Sequence, residues 1–280
     1  MTRALSTVQR FLRFAQAISL DIVCGVVCGG YFATTVTGSD LPIMWYVLLG
    51  LSTWVIYLVD HLLDALRVPR RDLSWRHWTV LRHRHWFVPC IVTLGIVLPI
   101  LALRFLPTPT LWWSGIVVTA ALSHLCWAQR ARRHWLPKEV TAATIYVGGI
   151  WFVPLAMGRV DRWTVSLLAL HWVAALLNLT AFSRFDWGAD RAGGRCSVVR
   201  DWGDRACDAL VVWLGIAASV GTVVVVLTAP PNIYFAAIAL IPLTLAPLLL
   251  LRHFHWFATS DRYRLADSLF LLLAIPAVAG

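Results

Sequence analysis

Long apolar segments recur along the whole chain and argue against a water-soluble fold. Hydrophobic residues make up 59% of the 280 residues and charged residues only 14%, whereas an average soluble domain is about one quarter charged. A run of roughly 20 apolar residues is long enough to cross a bilayer as a helix. The sequence therefore predicts an all-α, polytopic membrane protein, and we expect residues 1–280 to form a single transmembrane helical domain.

Nine of these apolar segments are long enough to be membrane spans. Several are separated by short connections rich in Gly and Pro, as expected of turns between antiparallel helices. The segments cover residues 15–36, 41–63, 86–103, 109–128, 139–157, 163–184, 206–228, 233–251 and 264–280.

The basic residues indicate the orientation of the spans. With nine spans and a cytoplasmic amino terminus, the cytoplasmic segments contain all 24 Lys and Arg residues except Arg104, Arg159 and Arg162. Cytoplasmic loops of membrane proteins carry such an excess of positive charge. This rule explains the net charge of +10 better than nucleic-acid binding, because aromatic residues are not interleaved with the basic ones. We therefore expect an integral, multi-pass protein of the lipid bilayer with cytoplasmic active-site loops and no nucleic-acid partner.

Two pairs of aspartates close two of the predicted spans on the cytoplasmic side. Asp60 and Asp64 end the second span, and Asp186 and Asp190 end the sixth. The i,i+4 spacing places both carboxylates of a pair on one helix face, about 6 Å apart. A carboxylate at the edge of a bilayer is costly unless it is hydrated, paired or bound to metal. Two facing pairs can hold Mg²⁺ ions that keep coordination positions for phosphate oxygens, so the four residues predict a metal site.

Basic residues near the Asp pairs are candidates for binding a diphosphate. Arg and Lys donate strong hydrogen bonds to phosphate oxygens, although membrane anchoring alone also explains positive charge in cytoplasmic loops. The candidates are Arg67, Arg130, Lys138 and Arg191.

Other polar residues near the spans leave alternatives open. The segment with His77, His83 and His85 is interpreted as an amphipathic loop helix that covers a cavity, although it also fits a metal-binding tract. Asp21 and Asp267 lie within predicted spans and are functional candidates for that reason. For Asp21, hydrogen bonding to a neighbouring helix is an equally good interpretation.

These features together resemble the UbiA-type intramembrane prenyltransferase superfamily, whose members are nine-helix bundles with Asp-rich motifs at the cytoplasmic ends of helices two and six. The segment LPKEVTAATIYVGG is similar to the start of the fifth helix in that family. The first motif differs from the usual pattern, with Ile56 in place of Asn, which suggests a divergent branch. The second motif is matched by Asp186, Asp190, Arg191, Gly194 and Ser197.

The resemblance implies a UbiA-like bundle with a cytoplasmic-side cavity and a Mg²⁺-dependent prenyltransferase activity. Such a transferase ionises an isoprenyl diphosphate, releases diphosphate and transfers the prenyl group to a lipophilic acceptor. The implied catalytic and metal-binding residues are Asp60, Asp64, Asp186 and Asp190. The alternative is a UbiA-type terpene cyclase, in which the same carbocation cyclises within its own isoprenoid chain. A transporter or a non-catalytic scaffold is less favoured, because no internal repeat is evident.

Aromatic residues are abundant enough to shield a carbocation inside the membrane. The chain has 16 Trp and 12 Phe, and an aromatic face near a desolvated cation contributes roughly 2 kcal/mol. Each Trp also fits the aromatic belt at a membrane interface. Those in or near predicted spans are Trp54, Trp112, Trp113, Trp127, Trp151, Trp172 and Trp213.

Overall fold

The structure is a computed structural model, described for residues 7–67, 73–130, 138–192, 197–254 and 261–275. Every regular element in these ranges is helical. The elements are α1 Thr7–Ala17, α2 Leu20–Thr37, α3 Ile43–Arg67, α4 Trp75–Arg82, α5 Arg84–Phe105, α6 Thr108–Arg130, α7 Lys138–Met157, α8 Arg162–Ala192, α9 Val198–Trp202, α10 Asp204–Thr228, α11 Pro231–Arg252 and a 3₁₀-helix over Asp261–Ala274.

Seven of the described helices are long and apolar enough to cross a membrane, namely α2, α3, α5, α7, α8, α10 and α11. Each of them coincides with one of the predicted apolar segments. The predicted segment 109–128 forms α6, which has 23 residues but is not among the seven. The predicted segment 264–280 falls on the 14-residue 3₁₀-helix, and residues 276–280 lie outside the described ranges. The all-α, polytopic fold is confirmed, and the number of nine spans stays a prediction.

The centre of the bundle is α8, which packs against α7, α10 and α11. On the other side of the core, α2 packs against α3, α7 and the 3₁₀-helix. The interior is filled by large side chains that are fully buried, among them Phe32, Trp151 and Leu240. Large apolar side chains such as Trp112 and Leu227 are exposed on the outside. An apolar outer surface is expected for a helical bundle surrounded by lipid, where the backbone polar groups are satisfied within each helix.

A close contact between α2 and the 3₁₀-helix depends on Gly25. A Cβ atom at this position would lie 3.0 Å from the Cβ atom of Phe270, which is closer than most Cβ contacts. Small residues allow neighbouring membrane helices to approach closely. The contact holds the 3₁₀-helix against the bundle at the level of Asp267 and Phe270.

The joint between α1 and α2 consists of Ile18 and Ser19. Ser19 has a φ angle of 62°, a left-handed conformation that is uncommon for residues other than Gly. Two hydrogen bonds from other helices hold the joint in place. Trp54 Nε1 donates to the Ile18 carbonyl at 2.9 Å, and Arg76 Nη2 donates to Ser19 Oγ at 3.0 Å. The break between the two helices is therefore fixed to both α3 and α4.

Candidate active site

A cavity of about 250 Å³ lies between the end of α3, the start of α4, the first turn of α7, the end of α8 and the 3₁₀-helix. Three of the four predicted aspartates line it: Asp60 and Asp64 from α3, and Asp186 from α8. Asp190 lies in the last turns of α8, and its side chain is outside the described part of the chain. Helices far apart in sequence therefore bring these three carboxylates to one cavity.

The donor set of the cavity consists mainly of carboxylate oxygens, which are the ligands that Mg²⁺ prefers in proteins. Within the described residues, no group of three or more His, Cys, Asp or Glu side chains is already arranged around one metal position. Mg²⁺ is commonly bound by only one or two carboxylates, with water and substrate phosphates as the other ligands. The residues thus fit a metal that arrives together with a diphosphate, and the Mg²⁺ site itself stays a prediction.

Basic residues reach the cavity from two directions. Of the predicted diphosphate-binding residues, Lys138 lies on the cavity wall in the first turn of α7. Arg67 is exposed in the last turn of α3 and is not among the lining residues. Arg130 and Arg191 stand at helix ends whose side chains lie outside the described part. Arg76 of α4, which is not among the predicted diphosphate-binding residues, also lines the cavity.

The short helix α4 covers the cavity next to Asp64. Its amphipathic character is as expected, with Val80 buried and Trp78 exposed. His77 Nδ1 lies 2.8 Å from Ser74 Oγ, and His77 Nε2 lies 3.7 Å from Asp64 Oδ2. The part of the segment around His77 is thus a helix whose first turn faces the predicted aspartates, whereas His83 follows that helix and His85 lies in α5.

Glu139 is a buried carboxylate that the sequence analysis included only as part of the segment LPKEVTAATIYVGG. The side chain is 2% exposed and lines the cavity. Its Oε1 atom accepts hydrogen bonds from the Ser183 hydroxyl and, at 3.2 Å, from the Val198 backbone N–H. Within the described residues, its Oε2 atom has no hydrogen-bond partner. Glu139 therefore connects α7 to α8 and α9, and its second carboxylate oxygen is buried.

The inner part of the cavity combines one polar pair with aromatic side chains. Asn178 Nδ2 donates to Asp267 Oδ1 at 2.9 Å, and both residues line the cavity. Asn178 precedes Asp186 by two helical turns, about 12 Å along α8 at 1.5 Å per residue. The aromatic lining residues are Tyr57, Tyr146, Phe182 and Phe270.

The cavity wall, as far as the structure describes it, contains no Trp. Trp151 is fully buried in the core, where its Nε1 atom donates to His171 Nδ1 at 2.9 Å. Trp112 and Trp213 are exposed on the outside of the bundle. The aromatic lining is therefore Tyr and Phe, and these Trp residues pack in the core or face outwards.

A search of solved structures finds a similar fold in the apo structure of a UbiA homologue from Aeropyrum pernix K1. The similarity covers 92% of this chain and 97% of that chain, with a TM-score of 0.61 and 14% sequence identity. The chain has a UbiA-type fold. No protein-family model and no curated protein matches the sequence.

The UbiA-type fold confirms the resemblance that the sequence motifs indicated, at the level of the fold.

A third pair of aspartates with the same spacing, Asp204 and Asp208, has surroundings that differ from those of the two Asp pairs. Those two residues stand at the start of α10, and both contact Arg184, at 3.4 Å and 3.1 Å respectively. The third match is therefore an ion-pair cluster between α8 and α10 and is not part of the cavity wall.

Proposed function

We propose that this protein is a Mg²⁺-dependent prenyltransferase that works within the membrane. It ionises an isoprenyl diphosphate, releases diphosphate and transfers the prenyl group to a lipophilic acceptor. The observation that carries the proposal is the meeting of Asp60, Asp64 and Asp186 at one cavity of a UbiA-type fold. We also propose that the chain is a single transmembrane domain whose amino terminus and cavity entrance face the cytoplasm, as the basic residues indicate.

The carboxylates bind the head of the substrate in this proposal. Asp60, Asp64, Asp186 and Asp190 would hold Mg²⁺, which when bound offsets the charge of the leaving diphosphate. Lys138 and Arg76 on the cavity wall donate hydrogen bonds to the phosphate oxygens and stabilise the same charge. Arg67, Arg130 and Arg191 remain further candidates for this role.

The inner wall receives the isoprenoid part and the acceptor. The faces of Tyr57, Tyr146 and Phe270 stabilise the allylic carbocation, and the apolar wall keeps water from capturing it. Asn178 and Asp267 also line this wall and are hydrogen-bonded to each other.

A UbiA-type terpene cyclase is the second candidate, because four aromatic side chains line the cavity. Incubation with farnesyl or geranylgeranyl diphosphate and Mg²⁺ in the absence of an acceptor distinguishes the two. A cyclic hydrocarbon or alcohol would establish the cyclase. Intact substrate or simple hydrolysis, with product formation only when an acceptor is added, is the result we expect.

The test of the proposed chemistry is the double substitution Asp64→Asn and Asp190→Asn. It removes one charge from each pair while keeping the side-chain shape. We expect diphosphate release from geranyl, farnesyl and geranylgeranyl diphosphate to fall by roughly 100-fold or more, as is typical when electrostatic stabilisation of a transition state is lost. The matched control is Asp161→Asn, an Asp outside the cavity, which should retain wild-type release. Release unaffected by the double substitution would refute the proposal.

A further inference from the structure

The free oxygen of Glu139 points to a ligand that the four aspartates do not account for. A buried carboxylate oxygen with no partner costs free energy, so nearly all such atoms in proteins have a donor or a cation beside them. Glu139 is 2% exposed, and its Oε2 atom has no hydrogen-bond partner among the described residues. Because the residue lines the cavity, the missing partner is supplied by whatever the cavity binds.

The position of Glu139 relative to Asp186 follows from its bond to α8. The donor to Oε1 is Ser183, which precedes Asp186 by three residues and therefore lies on the same helix face. This spacing corresponds to about 4.5 Å along the helix axis. Glu139 thus lies on the same cavity wall as Asp186, one turn further from the end of α8.

The charge of the surroundings selects a cation as the partner. Asp60, Asp64 and Asp186 line the same cavity, and carboxylates that share a site destabilise one another unless a positive charge lies between them. A neutral donor would satisfy the free oxygen but would not compensate the negative charge, since five acidic side chains line the cavity against two basic ones, Arg76 and Lys138. A divalent ion satisfies the free oxygen and also compensates the negative charge of the carboxylates. Mg²⁺ is typically held by one or two carboxylates together with phosphate oxygens and water.

We propose that Glu139 is a further ligand of the Mg²⁺–diphosphate, bound through Oε2, while Oε1 fixes the side chain to α8 and α9. This inference rests on the proposed function, since it assumes that a metal–diphosphate occupies the cavity. It adds a ligand from α7 to those from α3 and α8. The first turn of α7 then contributes both a metal ligand and, through Lys138, a phosphate contact.

The variant Glu139→Gln separates the two oxygens. Its amide oxygen still accepts from Ser183 and from the Val198 N–H, whereas the amide nitrogen in place of Oε2 cannot bind a metal. The matched variant Ser183→Ala does the opposite, since it removes a hydrogen bond to Oε1 and leaves Oε2 intact. If Glu139→Gln does not fold, Glu139→Asp keeps the charge but withdraws the carboxylate by one methylene and replaces it in the test.

The measurement is the thermal unfolding midpoint of the detergent-purified protein, titrated with Mg²⁺ at a fixed concentration of inorganic pyrophosphate. We expect the half-saturating Mg²⁺ concentration to rise by roughly tenfold or more in Glu139→Gln, a loss comparable to or larger than that for removing outer-shell partners of a metal. Ser183→Ala should lower the midpoint without metal and change the half-saturating concentration little. Mn²⁺ affinities measured by electron paramagnetic resonance should rank the variants in the same order.

The comparison with Asp64→Asn and Asp186→Asn identifies which idea fails. If both Asp variants raise the half-saturating Mg²⁺ concentration and Glu139→Gln does not, Glu139 is only a structural clamp and this inference is wrong. If neither Asp variant changes the half-saturating Mg²⁺ concentration, or if the wild type is not stabilised by Mg²⁺ and pyrophosphate, the proposed function fails and the inference fails with it.

Discussion

At the scale of single residues, the start of the central helix α8 depends on Asp161. Its Oδ1 atom accepts hydrogen bonds from the backbone N–H and the hydroxyl of Thr164, at 2.7 Å and 2.9 Å. Such a cap satisfies a backbone donor in the first turn, which has no partner within the helix. Chiefly through the backbone hydrogen bond from Thr164, this arrangement holds the pKa of Asp161 below its usual value.

We predict that Asp161→Ala lowers the free energy of unfolding by about 1 kcal/mol, the typical loss for an N-cap, and that Asp161→Asn leaves it nearly unchanged at neutral pH. Because the folded-state pKa is lowered, the ionised carboxylate stabilises the fold above the unfolded pKa of about 3.9. That contribution disappears as the pH falls through the folded-state pKa. Unfolding titrations in mixed micelles across the acid range measure this loss of stability in the wild type and in Asp161→Asn. A wild type and an Asp161→Asn variant that lose stability in parallel below pH 4 would contradict the assignment.

Individual residues also show which parts of the site can be predicted from the sequence. The i,i+4 spacing predicts that the members of each pair share a helix face, and the matching positions at the ends of two predicted spans led to the choice of Asp60, Asp64 and Asp186. The spacing alone is not enough, since Asp204 and Asp208 have it too and do not line the cavity. The roles of Glu139 and Asn178 depend on the rotation of α7 and α8 against their neighbours. No local pattern encodes this rotation, so their contacts appear only in the folded structure.

At the scale of helices, the contact between α10 and α11 depends on the absence of a side chain at Gly215. A Cβ atom there would lie 2.6 Å from Leu248 Cδ2 and 2.8 Å from Leu248 Cγ. The leucine therefore fills the space over the glycine. The sequence predicted both helices from their apolar length, whereas the register of this contact requires knowledge of which faces meet. The apolar pattern of the last predicted span, 264–280, also does not distinguish an α-helix from the 3₁₀-helix found over Asp261–Ala274.

We predict that Gly215→Ala destabilises the bundle by roughly 1–3 kcal/mol, the usual cost of overpacking a tight contact. The matched control is Gly95→Ala in α5, where an added Cβ would meet nothing within 4 Å. There the higher helix propensity of Ala should leave stability equal or slightly raised. Unfolding midpoints in denaturing detergent measure both variants. A Gly215→Ala variant as stable as Gly95→Ala would show that Leu248 can move aside, or that the contact is not formed.

At the scale of the whole molecule, the polar cavity lies at one end of the bundle. α7 begins at the cavity with Lys138 and Glu139 and ends at Met157, about 30 Å away for a helix of this length. Val160, which follows α7, is exposed, as is Arg67 beside the cavity end of α3. In the proposed topology, these two positions lie at opposite membrane surfaces.

We predict that Arg67→Cys is labelled by a membrane-impermeant thiol reagent from the cytoplasmic side only, and Val160→Cys from the opposite side only. The background should lack the six native Cys, and each variant serves as the control for the other. Labelling in right-side-out and inside-out vesicles provides the measurement. The reverse pattern would overturn the orientation proposed from the basic residues, and labelling of both from one side would overturn the topology.

The left-handed joint at Ser19 has a consequence for how a substrate enters. Arg76 presents its guanidinium to the joint and at the same time lines the cavity beside the aspartates. If α4 swings away to admit a bulky lipid, either this hydrogen bond breaks or α1 travels with it. A movement of α4 away from the cavity therefore costs at least one contact that fixes the break between α1 and α2.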